Sequence, residues 1–203
     1  MRDLLGGPHG EPLELDAYRE DFRRRDFAVD GYDSWKLERR QDFREPGDPS
    51  WEAFVRGDWQ QALRLIAERR GELLDLSRLA ASHACRLLRV RVVERPLTPY
   101  LRWELELLRV RAECGELIRV IGPEHVVQYE REGTVPELVT LNDDVVYEIR
   151  YDAAGVLEGA VRHLDRASRD RVVARIEELY ARGEDIGAYF AREVAGTAPP
   201  TGV

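Results

Sequence analysis

Tyr100 and Glu104 lie four positions apart in the run PYLRWELELLRVRAE, a spacing that puts a phenol and a carboxyl on one face of a helix. A hydroxyl beside a carboxylate can pass a proton to a bound molecule, so this pair is the candidate acid–base element. Arg91 and Arg119, in the segments on either side, are candidate anchors for a carboxylate or phosphate, which a guanidinium fork grips bidentately. Glu94 and Arg95 follow the first of those segments. In a parallel α/β sheet, ligands gather beyond the carboxyl ends of strands, which is where these two would sit. Tyr147, Glu148 and Tyr151, from the later run VVYEIRY, can face the same crevice, and the free amides at the helix start offer an anion site. Against this stands the commoner outcome for a charged helix face: Arg102 and Glu104 solvated, with the aromatics filling gaps.

Other chemistries find less support. The four histidines, His9, His83, His125 and His163, form no HExxH or other close metal pair. His83, Cys85 and Cys114 could approach one another in space, but a buried cysteine is usually an inert small hydrophobe, and no metal or cofactor is expected. GVLEGA has neither the spacing of a phosphate loop nor a helix after it, and there is no GxSxG elbow. Lys36 is the only lysine among 31 basic residues, so it alone could act as a Schiff-base residue.

Composition narrows the partners. A 43% share of aliphatic and aromatic residues is enough for a real core. A formal charge of -8 opposes wholesale binding to a phosphate backbone, so no direct nucleic-acid contact is expected. Two cysteines 29 positions apart make no disulfide framework, the N-terminus lacks an apolar signal core, and no 18-residue apolar run exists. These features predict a cytoplasmic protein without membrane contact.

The elements that would position the candidate residues can be read in order. Residues 1–12 are expected to be a flexible lead-in, 13–195 one globular domain and 196–203 a flexible tail. Leu15, Tyr18 and Phe22 give a short helix over 13–25, and Trp35 and Leu37 share one face of a strand. After the breaker REPGDP, Ser50 caps a helix running to about residue 70, with Gly57 as a weak point, and helical character continues to about residue 84. Leu88, Val90 and Val92 alternate with Arg89 and Arg91 in a strand. Thr98 then caps and Pro99 opens a helix that carries Leu101, Leu105, Leu108 and Ala112 on one face, and Gly115 ends it. ELIRVI completes a βαβ unit. A short helix is expected in PEHVVQYEREG, followed by a three-strand antiparallel meander, a helix opened by Asp165 or Ser168 and a last short helix. The predicted fold class is α/β (or α+β): a mixed sheet of about five or six strands with helices mainly on one side.

Two resemblances add to this reading. SWKLERRQDFREPGDPSWEAFVRGDWQQALRLI, RVRVVERPLTPYLRWEL, GELIRVI and GEDIGAYFAREV together resemble an actinobacterial (Streptomyces-type) family of domains of unknown function, over about residues 30–195. That resemblance implies an accessory to helix-turn-helix regulators or metabolite clusters, and it supplies no catalytic residues. A meander after a βαβ unit also resembles half of a phospholipase-D-like domain. Those enzymes need a His–Lys pair two apart, and His163-Leu164-Asp165 lacks the lysine, so the scaffold would come without phosphodiesterase chemistry.

Two functions therefore stand side by side. One is a non-catalytic regulatory module that binds a protein partner, a second copy of itself or a small ligand, with Trp35, Trp51 and Trp59 as exposed-aromatic candidates. The other is a small enzyme of specialised metabolism that acts on an anionic molecule through Tyr100 and Glu104, with Arg91, Arg95, Arg119, Tyr147 and Tyr151 holding the ligand. Glu104→Gln keeps the size and removes the charge, so it is expected to leave folding nearly intact while altering ligand or partner binding; equal binding with unchanged stability would place Glu104 on a solvated face.

Overall fold

The computed structural model describes residues 5, 10–131 and 133–200. In chain order the elements are β1 (Glu11–Glu14), α1 (Leu15–Arg25), β2 (Ser34–Glu38), α2 (Pro49–Val55), α3 (Trp59–Glu68), α4 (Arg70–Ser82), β3 (Leu87–Val92), α5 (Pro99–Glu113), β4 (Leu117–Ile121), β5 (Glu137–Leu141), β6 (Val145–Tyr151), β7 (Leu157–Leu164), α6 (Arg166–Arg182), β8 (Glu184–Asp185) and α7 (Ile186–Glu193). The strands form one mixed sheet in the order β1-β7-β6-β5-β2-β3-β4-β8. β2, β3 and β4 are parallel, and every other pairing is antiparallel. The fold is α/β, with the expected βαβ unit as β3–α5–β4 and the expected meander as β5–β6–β7.

Strand alternation sorts the two faces of this sheet. Trp35, Leu37, Leu88, Val90 and Val92 point to one side, where they pack with Val172, Ile176 and Leu179 of α6. Lys36, Glu38, Arg89 and Arg91 fall on the other side, under the layer built from α1–α5 and α7. There, Leu101, Leu105 and Leu108 of α5 meet Ile118, Val120 and the α7 residues Ile186 and Phe190. Tyr18 of α1 covers Val139, Tyr147 and Ala160 toward the other end of the sheet. A fourth cluster lies among the helices: Trp51, Phe54, Ile66, Leu73, Tyr100 and Trp103. Helix α5 is thus buried on two sides, against the sheet and against α2–α4.

Several local readings change. The sheet has eight strands because β1 and β8 are edge strands of four and two residues, too short to show alternation. Asp48, not Ser50, caps α2, its carboxylate accepting from the amides of Ser50 (2.8 Å) and Trp51 (3.1 Å). Gly57 does not kink one helix but separates two: it sits at φ +81°, and Asp58 then caps α3. The expected helix after β4 is a pair of 3-10 turns, Pro123–His125 and Val127–Tyr129. Trp35 and Trp51 are buried and Trp59 is half-buried, so none is an exposed aromatic; each completes a hydrophobic cluster instead.

Within the stretch expected as a lead-in, Leu5 is buried and its carbonyl accepts from the Ser168 hydroxyl (3.1 Å), while β1 begins at Glu11. Within the expected tail, Arg102 donates to the Thr197 hydroxyl (2.5 Å). Residues 1–4, 6–9 and 201–203 of those two stretches lie outside the described residues.

No atom lies within 4 Å of a Cβ built at Gly57, so only its left-handed backbone opposes a side chain there. Gly57→Ala is expected to lower unfolding free energy by about 1 kcal/mol, measured as a shifted urea midpoint with unchanged slope.

Candidate functional site

The site begins with how α5 is anchored. Thr98 caps it through the Leu101 amide (3.1 Å), and the Thr98 hydroxyl also donates to the Gln41 carbonyl (2.9 Å). Gln41 in turn binds the Val92 carbonyl (3.0 Å) and the Glu94 amide (2.7 Å). The loops leaving β2 and β3 are therefore fastened to each other and to the start of α5. That fastening fixes the direction in which Tyr100 and Glu104 project.

Both side chains project inward. Glu104 accepts from Arg91 Nε at 2.8 Å, and Arg91 is completely buried. Arg91 also donates to the Val92 carbonyl (3.0 Å), and its guanidinium lies 5.8 Å from the Phe43 ring centroid. One register step back on β3, Arg89 donates to Glu116 (2.7 Å) and Glu38 (2.5 Å), while Arg111 of α5 reaches the other Glu116 oxygen (2.5 Å). Burial alone would raise the Glu116 carboxyl; Arg89 and Arg111 outweigh it and hold it at about 2. Burial likewise opposes ionisation of Glu38, but Arg89 and Arg91 win and keep its pKa low. For Glu104, burial wins over Arg91 and raises the carboxyl. Glu137 is buried as well, accepting from the amides of Arg39 (2.8 Å) and Arg40 (2.7 Å), and burial lifts it to about 7.

At the edge of this charged layer the Tyr100 hydroxyl lies between two carboxyls, 3.3 Å from Glu104 and 3.4 Å from Glu45. A phenol has one proton to give, so it can satisfy both only if one carboxyl carries a proton of its own. Glu104 is ion-paired with Arg91, whereas burial and the neighbouring Glu104 push Glu45 up to about 7. Burial, Glu104 and Glu45 together raise Tyr100 well above its ordinary range, so it stays a phenol.

Tyr100 also lines a cleft of about 360 Å³ beyond the carboxyl end of β2. Its walls are Arg40, Phe43 and Arg44 from the loop after β2, Trp51 and Val55 from α2, and residues 153–155 from the β6–β7 turn. The Arg44 amide bonds the Gly155 carbonyl (2.9 Å), and Asp152 holds the turn by accepting from Ala154 and Val156 amides. Arg40 lies over Tyr151 (5.2 Å to its centroid) and Phe43 (5.8 Å). Among the described residues, the guanidiniums of Arg40 and Arg44 have neither an ion pair nor a hydrogen-bond acceptor. Asp42 is the acidic residue in the lining.

The residues singled out in the sequence divide accordingly. Tyr100, Glu104, Arg91 and Tyr151 gather around Phe43, but Arg91 and Glu104 lie beneath the cleft rather than in it. Arg119 is on the opposite face of the sheet, over the Tyr180 ring at 5.5 Å, so Tyr100, Glu104 and Arg119 do not converge. Arg95 pairs with Glu193 of α7, and Glu94 with Arg39 at 2.6 Å. Tyr147 donates to Asp21 (2.8 Å), which also binds Arg162, far along the sheet. The arginine face of β3 is covered by Glu38, Glu104 and Glu116. Cys85 and Cys114 point to different backbone carbonyls, Arg86 and Arg70, and the described residues contain no group of three or more His, Cys, Asp or Glu that could hold a metal. Sequence reading missed Arg40, Phe43, Arg44 and Glu45. Their signal was RRQDFRE placed immediately after a parallel strand, the position where α/β sheets hold ligands.

Residues 21–191 match the family model described as Domain of unknown function (DUF6879). No curated protein matches the chain.

Glu104 cannot be the dispensable surface carboxylate expected above. Glu104→Gln leaves the buried Arg91 charge uncompensated and is expected to cost about 3 kcal/mol in urea unfolding, whereas Arg91→Met with Glu104→Leu recovers most of that loss. The raised carboxyls set the pH profile. A group at 4.5 when unfolded and about 7 when folded binds more protons in the folded state, so stability falls as pH rises from 4.5 to 7. Glu116, lowered to about 2, has the opposite sign, and its contribution is lost as pH falls from 4.5 toward 2. Thermal melts across pH are expected to peak near 4.5–5, with a shallower fall toward pH 7 in Glu45→Gln.

Proposed function

We propose that this chain, which belongs to the DUF6879 family of domains of unknown function, works as a ligand-binding accessory module rather than a catalyst. Its ligand is a small anion with a flat apolar body. The observation that carries this reading is the pair Arg40 and Arg44: in a chain of net charge -8, two guanidiniums without acceptors among the described residues face one aromatic-walled cleft. A carboxylate, sulfonate or phosphate would give them charge-assisted partners. Phe43, Trp51 and Tyr100 would stack against the ligand body.

The side chains best suited to acid–base work are otherwise engaged, which supports binding over catalysis. Glu104 is tied to Arg91, and Tyr100 is buried and keeps its proton. The alternative, acid–base chemistry on such an anion, would fall to Glu45, whose carboxyl titrates near neutrality beside Tyr100. Its mark would be loss of turnover in Glu45→Gln with ligand affinity unchanged. The accessory role also calls for a protein partner or a second copy of the chain. Val55, Leu74 and Leu79, exposed on α2 and α4, supply apolar contact surface for it, and a strictly monomeric protein by light scattering at high concentration would remove the second copy.

The probe 1-anilinonaphthalene-8-sulfonate has the required shape and charge. Titration should give saturable binding with quenching of tryptophan fluorescence. Arg40→Glu with Arg44→Glu should weaken it about tenfold or more, since each charge-assisted bond contributes about 1.5–3 kcal/mol. Equal affinity in the double variant, with an unchanged melt, would refute the reading.

A further inference from the structure

Lys36 is the only side-chain amine in the protein, and it is half-buried between the sheet and the helices. It lies on the charged face of β2, opposite Arg89 of β3 in register. Among the described residues its ammonium has no hydrogen bond and no ion pair. Glu116 gives its two oxygens to Arg89 and Arg111, and Glu38 gives one to Arg89 while its other oxygen is buried without a hydrogen-bond partner. Two hollows meet at this side chain. The inner one, about 120 Å³, is walled by Phe22, Phe27, Leu76 and Leu87 and also touches Asp26, Arg111 and Glu116. The outer one, about 450 Å³, opens to the surface between Tyr18 and Phe22 of α1, with Arg19 and Arg23 at its rim.

We propose that Lys36 is a reactive amine that condenses with the carbonyl carbon of an apolar aldehyde or ketone seated in these hollows. The site is separate from the arginine cleft. The inner hollow touches the opening residues of β2 and β3, Ser34, Leu87 and Leu88, whereas the cleft lies beyond the carboxyl end of β2.

The chemistry follows from the surroundings. The neutral amine's lone pair attacks the carbonyl carbon, and a nitrogen proton passes to the carbonyl oxygen to give a carbinolamine. Protonation of its hydroxyl releases water as the second nitrogen proton is lost, leaving a C=N bond. Asp26 can carry the proton for that second step: it lines the inner hollow, and burial raises its carboxyl against the pull of Lys36 and His83. The charged groups facing Lys36 are Arg19 and Arg23 on α1, Asp26 after it, Glu38 on β2, Arg89 on β3, Arg111 on α5 and Glu116 before β4, with α4 contributing only apolar Leu76 to the hollow. Burial first, then Arg89 and Arg111, push the amine down to about 8, against Glu116 and Glu38. A sizeable neutral fraction is therefore present at mildly alkaline pH. A solvated lysine, near 10.4, would have almost none.

The test uses the whole chain, hexanal and sodium cyanoborohydride, which reduces the imine to a stable secondary amine. Labelling is followed by peptide mapping over pH 6–10, so the chain's amino terminus is scored separately. The expected result is one hexyl group on Lys36, with the labelling rate half-maximal near pH 8. Leu76→Trp, which fills the inner hollow from α4, should slow the reaction several-fold without changing the melt. Lys36 that stays unlabelled in the folded protein but reacts in urea would overturn the proposal, as would an ordinary midpoint near pH 10. Faster labelling by glyoxylate than by hexanal would overturn the apolar ligand class. None of these outcomes depends on whether the arginine cleft binds anything.

Discussion

The contact between Arg91 and Glu104 couples the sheet to its helical layer. An arginine buried in mid-strand is tolerated only with an acceptor, and the acceptor comes from α5, thirteen residues later in the chain. To supply it, α5 must lie across β3 with Glu104 facing down and Tyr100 and Trp103 facing the α2–α4 cluster. The Thr98 cap and the Gln41 clamp fix that rotation. A helix turned by one residue would bury a leucine against Arg91 and leave Glu104 among the aromatics. The charge pair therefore specifies an orientation that hydrophobic packing, which is non-directional, would leave loose.

The same constraint divides the molecule chemically. One face of the central strands is mainly hydrophobic and belongs to α6; the other holds cations and carboxylates that largely neutralise one another beneath the helices. Function is then expected where that neutralisation is incomplete. At the carboxyl end of β2, Arg40 and Arg44 extend past the layer into an aromatic cleft. Beside the opening residues of the same strands, Lys36 has no ion pair among the described residues, Glu116 being held by two arginines and one Glu38 oxygen by Arg89. Both places follow from one accounting of charge, and neither needs a recognisable motif.

The Tyr100–Glu45–Glu104 group links the cleft to the buried layer. One phenolic proton shared between two carboxyls ties the protonation of Glu45 to the Arg91–Glu104 pair. A ligand in the cleft would press on Tyr100 directly. Binding at the surface therefore has a physical route to the contact that orients α5.

By itself the sequence determined what local physics can write. Alternation in WKLE and LLRVRV made strands, Thr98-Pro99 and Gly115 bounded α5, and the spacing of β3, α5 and β4 implied a parallel pair with a crossover helix. It also put Tyr100 and Glu104 on one helical face. Tertiary structure decided everything that depends on which surfaces meet. Periodicity says that residues share a face but not what covers it, so Glu104 could be read as solvated until α5 was laid on Arg91. Arg119 was separated from Tyr100 because strand parity put it on the α6 side of the sheet. The two edge strands were too short for alternation to appear, and their pairing partners lie far away in the chain. The cleft joins four segments, residues 40–44, 51–55, Tyr100 and 153–155, and the surroundings of Lys36 depend on where Glu116 and Glu38 direct their oxygens. Contacts between segments distant in sequence are set by the energy of the whole packed chain, and no local pattern encodes them.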